Sequence, residues 1–96
     1  MNFTRCDQTP AWRALMRHYE VQGQRFDLRE AFAAQPQRFQ AMSLQAPEVF
    51  ADLSKNLLDP GTLRLLAELA AECGVEARRT RMFAGSEINP TEGRAV

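Results

Sequence analysis

Four places in the chain carry residue types that could do chemistry. The first is His18, the single histidine, flanked by Tyr19 and Glu20. A general base needs an orienting partner, and a nucleophile or substrate proton within hydrogen-bond reach. Neighbouring residues supply neither, so His18 reads as a surface or half-buried structural residue. The second is the pair Cys6 and Cys73. Neither has a companion at metal-ligand spacing, and one histidine cannot complete a zinc site. They read as reduced thiols, with Cys73 a small core residue on an apolar helical stripe. The third is the cluster Arg78, Arg79 and Arg81, which could hold phosphate or RNA. With Glu76 close by and no glycine-rich loop or aromatic platform following, a solvated face or salt-bridge patch fits better. The fourth is Ser54-Lys55-Asn56, which contains the single lysine. Polar groups at a strand end can border a ligand crevice in an open sheet; the same residues can equally cap the turn leading to Asp59. No nucleophile dyad, paired acid and base, metal cluster or phosphate loop emerges. No catalytic, cofactor-binding or metal-binding residue is therefore assigned, and the chain by itself is not expected to be an enzyme.

The composition agrees with that restraint. The chain has 96 residues, of which 45% are hydrophobic and 25% charged, with a formal net charge of zero. That suits one small domain at most and argues against wholesale disorder. Balanced charge gives no global field for nucleic acid or an anionic membrane. No apolar run approaches the ~18 residues of a membrane span. The opening stretch MNFTRCDQTPAW has no signal-peptide core, so a cytoplasmic location is expected.

Positioning elements are marked mostly by their ends. Thr9-Pro10 has the form of a helix start, with Trp12, Leu15, Met16 and Tyr19 following at helical spacing and Gly23 as a stop. Asp27 with Glu30 resembles a capping box, opening a helix that carries Leu28, Ala31 and Phe32 and ends before Pro36. Pro36 opens a further short turn of helix with Phe39 and Met42. Over Pro47 to Lys55 the period changes to two: Val49, Ala51 and Leu53 alternate with Phe50, Asp52 and Ser54, which predicts one short strand. No second strand is evident, so its partner is expected outside the chain. Asp59-Pro60 begins the clearest helix, carrying Leu63, Leu66, Leu69 and Cys73 and stopped by Gly74. Glu76 to Phe83 predicts one more, closed by Gly85.

Asn89-Pro90-Thr91-Glu92 again has the form of a helix opening, yet the sequence stops four residues later at Val96. One turn of helix is nearly all nucleation cost. With the unpartnered strand, this predicts a segment of a larger protein: mainly α, several short helices plus one short strand, with no complete domain boundary inside residues 1–96.

The order of these pieces resembles the N-terminal end of the phosphoglucose isomerase family. The resemblance runs through Trp12, Leu15 and His18, then Leu28-Arg29-Glu30-Ala31-Phe32, Arg38-Phe39 and Met42-Ser43-Leu44. It continues through Asp52-Leu53-Ser54-Lys55-Asn56, Met82-Phe83-Ala84-Gly85 and Ile88-Asn89-Pro90-Thr91-Glu92-Gly93-Arg94-Ala95-Val96. The Ser-Lys-Asn step followed by Asn-Pro-Thr-Glu-Gly-Arg-Ala-Val is the specific combination. The family often has an aromatic residue at the position of Leu53 and a phenylalanine at that of Met42, both apolar exchanges.

The resemblance implies a parent several times longer, with two α/β/α sandwich subdomains of the sugar-isomerase (SIS) type. It implies interconversion of glucose 6-phosphate and fructose 6-phosphate, in glycolysis and gluconeogenesis, through a cis-enediol. A glutamate moves the proton, a histidine and a lysine assist ring opening, an arginine stabilises the intermediate, and a serine/threonine-rich loop holds the phosphate. No cofactor is needed, and the enzyme is typically a cytoplasmic homodimer. None of those catalytic positions falls on residues 1–96; His18 and Lys55 do not match them. Ser54, Lys55, Asn56, Glu92 and Arg94 lie in family-like motifs and are given structural roles, with Arg94 and Glu92 a candidate buried pair. The competing expectations are a free-standing helical interaction module using its Trp and Phe faces and, more distantly, an RNA binder using Arg78, Arg79 and Arg81.

Overall fold

The structure, a computed structural model, describes residues 5–86. Asn89-Pro90-Thr91-Glu92 and the Glu92–Arg94 pair lie outside the described residues.

The helix starts follow the capping chemistry of the sequence. Helix α1 (Pro10–Val21) is preceded by a short 3-10 turn at Cys6–Gln8, and Thr9 caps it by accepting from the Trp12 N–H at 3.1 Å. A second 3-10 turn, Gly23–Arg25, leads to α2 (Leu28–Ala34), where Asp27 accepts from the N–H groups of Arg29 and Glu30. After Pro36 comes α3, only four residues long (Arg38–Ala41). Helix α4 (Pro60–Glu72) is capped by Asp59 and ends at Gly74, whose φ of 74° is the left-handed stop that glycine adopts without a Cβ clash. Helix α5 (Val75–Phe83) follows directly, and Gly85 ends it in the same way at φ 78°.

The expected lone strand is corrected. Strand β2 (Val49–Asp52) has its partner within the chain: β1 (Ser43–Ala46) pairs with it antiparallel, Ser43 opposite Asp52 and Ala46 opposite Val49. The predicted stretch Pro47 to Lys55 therefore shrinks to four residues, and the sheet has two strands rather than one. The physical reason lies in β1, Ser-Leu-Gln-Ala, which holds no β-branched or aromatic residue and so carries no strand signal of its own. The connecting turn hides too. Pro47-Glu48 uses proline at its first position and, at its second, Glu48 at φ 64°, where glycine or asparagine is usual. A glutamate held there costs about 1 kcal/mol. Glu48→Gly is expected to stabilise the hairpin by roughly 0.5–1 kcal/mol, read as slower amide exchange in β1 and β2.

Packing is thin. Helices α1 and α4 lie side by side and form the main tertiary contact. Among the described residues the buried hydrophobics are Ala11, Met42 and Leu65. Phe83, Leu44, Val49 and Phe50 are more than half exposed. The radius of gyration, 16.6 Å, exceeds the roughly 12–13 Å of a compact chain of this length. The shape is a slab, 48 × 35 × 17 Å, whose thinnest dimension is little more than one helix diameter plus side chains.

Candidate functional site

The most constrained part of the molecule surrounds Arg38. Its side chain is buried, at 2% exposure, on the shortest helix. No acidic residue stands three or four positions away on either side, so helix-surface ion pairing is closed to it. The guanidinium instead donates to three backbone carbonyls: Nε to Ser54 O at 2.7 Å, and Nη2 to Asn56 O at 3.0 Å and Leu58 O at 2.7 Å. The rings of Phe26 and Phe32 flank the guanidinium carbon at 5.2 and 5.6 Å, within cation–π range. One side chain thus ties α2, the hairpin exit and the approach to α4 together. A fork of fixed donors suits this job in a way a lysine ammonium does not.

The segment that Arg38 grips begins with a locked turn. Asp52 Oδ1 accepts from the Ser54 hydroxyl at 2.6 Å and the Ser54 N–H at 2.8 Å, while Lys55 Nζ reaches Oδ2 at 3.3 Å. These bonds, the Ser54 hydroxyl first, hold the Asp52 carboxyl below its ordinary 3.8. Ser54 is buried at 1% and Lys55 is exposed. The turn is held by Asp52 rather than capped by Ser54 and Asn56 as expected: Ser54 donates back to Asp52, and Asn56 contributes its backbone carbonyl to Arg38.

His18 has a partner after all, a correction to the expectation that nothing orients it. Its Nε2 lies 3.2 and 3.1 Å from the two oxygens of Asp59. Facing a carboxylate, that nitrogen carries the proton and donates. The partner is distant in sequence, so inspection of adjacent residues could not find it. Asp59 also accepts from the N–H and hydroxyl of Thr62. Burial pushes its carboxyl up, but the Thr62 and His18 interactions outweigh that and leave it below 3.8. Gly61 makes the close approach possible, because a Cβ there would sit 3.3 Å from the His18 ring and 3.1 Å from Asp59. The pair clamps α1 to the start of α4.

A pH dependence follows from the two aspartates. Each has a folded value below its ordinary one, so each adds stability in full above about pH 4, and the contribution is lost as pH falls through the folded value. Amide exchange protection over residues 54–62 is expected to weaken below about pH 4 and to show no dependence on these groups between about pH 5 and 7. An Asp52→Asn, Asp59→Asn protein should lose most of that acid sensitivity.

Arg79 approaches Glu76 at 3.7 Å on exposed α5. Cys6 and Cys73, distant in sequence, are neighbours in the fold, and Cys6 first and burial second push the Cys73 thiol up to about 11. Among the described residues no group of three histidine, cysteine or acidic side chains could hold a metal, and no helix is long and apolar enough to cross a membrane. The ring pairs found are Phe39 against Phe50, centroids 6.1 Å apart, and the Arg38 stack. A concavity of roughly 410 Å³ lies between α1 and α4, with Leu15, Met16, His18, Tyr19, Leu58 and Leu66 in its lining. Arg38 is the key residue that sequence inspection passed over, although a lone arginine between Phe32 and Phe39 with no acidic neighbour was a readable signal.

Comparison with known proteins fits these observations. The Phosphoglucose isomerase family profile matches residues 52–96, beginning at the aspartate of the locked turn. Over all 96 residues the chain is 57% identical to glucose-6-phosphate isomerase of Polaromonas naphthalenivorans and 60% identical to that of Leptothrix cholodnii. It is 51% identical over 94 residues to the enzyme of Deinococcus radiodurans. The chain spans about 18% of the length of the first two and 17% of the third. Along its whole length the chain is similar to under a fifth of each of these glucose-6-phosphate isomerases.

Proposed function

We propose that residues 1–96 are the N-terminal helical segment of a glucose-6-phosphate isomerase. The parent enzyme reversibly converts glucose 6-phosphate to fructose 6-phosphate by enediol proton transfer, without cofactor, as a cytoplasmic homodimer of SIS-type sandwich subdomains. The observation that carries this reading is identity of 57–60% maintained over every residue of the chain. The segment contributes scaffold rather than chemistry. Its strongest polar interactions are spent within itself: Arg38 on three carbonyls, Asp52 on Ser54, and His18 on Asp59. Its exposed apolar residues, Leu44, Val49, Phe50 and Phe83, are then surface that the remainder of the enzyme covers. Whole-chain identity to an enzyme gives a free-standing interaction module no separate support.

The test is a coupled assay in which glucose 6-phosphate formed from fructose 6-phosphate is oxidised by its dehydrogenase. The full-length protein carrying this segment is expected to turn over, and residues 1–96 alone to show none. Absence of isomerisation by the full-length protein would overturn the reading.

A further inference from the structure

The scaffold leaves one reactive pair unused. Helices α1 and α4 run antiparallel. One end of their contact is a concavity lined by Pro10, Ala11 and Ala14 from the start of α1 and by Glu68, Ala71 and Glu72 from the end of α4. The other end joins Leu15, Met16 and His18 to Thr62 and Leu66. Cys6 lies one turn ahead of α1, and Cys73 caps α4, so the fold brings both to the same end of the helix pair.

Both backbones are anchored there. The Cys6 carbonyl accepts from the Thr9 N–H at 3.4 Å and the Thr9 hydroxyl at 2.9 Å. The Cys73 N–H donates to Leu69 O at 2.9 Å, and the left-handed Gly74 follows. The two thiols are close enough for Cys6 to perturb Cys73. Cys6 is exposed and Cys73 is half-buried, so access differs between them.

We propose that Cys6 and Cys73 form a reversible redox pair, oxidised by a low-molecular-weight disulfide of the glutathione type to an intramolecular disulfide that staples the start of α1 to the end of α4. In the first step the exposed Cys6 thiolate attacks one sulfur of the small disulfide, breaking its S–S bond and releasing one thiolate. In the second step the Cys73 thiolate attacks the Cys6 sulfur of the mixed disulfide and expels the second small thiol. Overall, two protein thiols lose two protons and two electrons, and the small disulfide is reduced to two thiols. Access also sets the order, because the small disulfide meets the exposed Cys6 before the half-buried Cys73. Reversible disulfides of this kind suit a reducing compartment, where permanent ones are rare. The inference stands whether or not the full-length protein is an isomerase.

The test uses the full-length protein, equilibrated with excess glutathione disulfide, quenched with an alkylating agent and digested with trypsin without reduction. Cleavage after Arg5, Arg13, Arg64 and Arg78 releases Cys6 within residues 6–13 and Cys73 within residues 65–78. A disulfide-linked peptide of those two segments is expected. It should disappear in Cys6→Ser and in Cys73→Ser, and revert to two alkylated peptides after dithiothreitol. In Cys73→Ser, Cys6 should accumulate as its glutathione adduct. Recovery of Cys6 from the unsubstituted protein only as that adduct, or of both thiols alkylated throughout, would overturn the proposal.

Discussion

Replacing Arg38 by alanine should destabilise the region by about 3–5 kcal/mol, the largest effect of any single substitution in the chain. The substitution strips the Ser54, Asn56 and Leu58 carbonyls of their donor. Of these, the Ser54 carbonyl lies deepest, and its bond to Arg38 is fully buried. Each carbonyl left unsatisfied costs about 1–3 kcal/mol, and the loss of stacking on Phe26 and Phe32 adds to it. Arg38→Lys should recover only part, because one ammonium cannot span three carbonyls in the geometry of the fork. The check is native-state amide exchange on the full-length protein: protection over residues 54–58 should collapse in Arg38→Ala, with Arg38→Lys intermediate. Unchanged protection in both would mean that the clasp is ornamental.

Leu65→Ala should follow, at about 2–4 kcal/mol. Leu65 is the buried leucine of α4, at 8% exposure, on the helix that packs against α1. Its neighbour Leu66 is 38% exposed in the same helix. The pair makes an internal control. In a thermal melt of the full-length protein, Leu65→Ala should lower the transition clearly. The effect of Leu66→Ala depends on how much of the apolar groove between α1 and α4 the rest of the enzyme covers. Equal, small effects at both positions would place the core elsewhere.

How much of this was legible beforehand depended on the range of the interaction. Helix boundaries were readable because caps are local: Thr9 before Pro10, Asp27 with Glu30, Asp59 before Pro60, and Gly74 each act on backbone groups within a turn. The hairpin was half legible. Val49 to Asp52 alternates, whereas Ser43 to Ala46 is drawn into the sheet by its neighbour and by a turn without glycine or asparagine. The clasps were not legible. His18 meets Asp59 across 41 positions, and Arg38 spends its donors on carbonyls 16 to 20 residues away. Backbone acceptors leave no mark in a sequence, so only the absence of an acidic neighbour around Arg38 hinted at its task. Whole-chain likeness to the isomerases, by contrast, was legible, because it accumulates over many short pieces that are each weak alone.

In the proposed function these residues form a thin layer whose apolar face the rest of the parent enzyme completes. Thermal unfolding of isolated residues 1–96, followed by far-UV circular dichroism, tests it most directly. A broad, shallow loss of helical signal is expected, since Ala11, Met42 and Leu65 make too small a core for a cooperative unit. A steep two-state transition from the isolated chain, with full native helicity below it, would contradict the account.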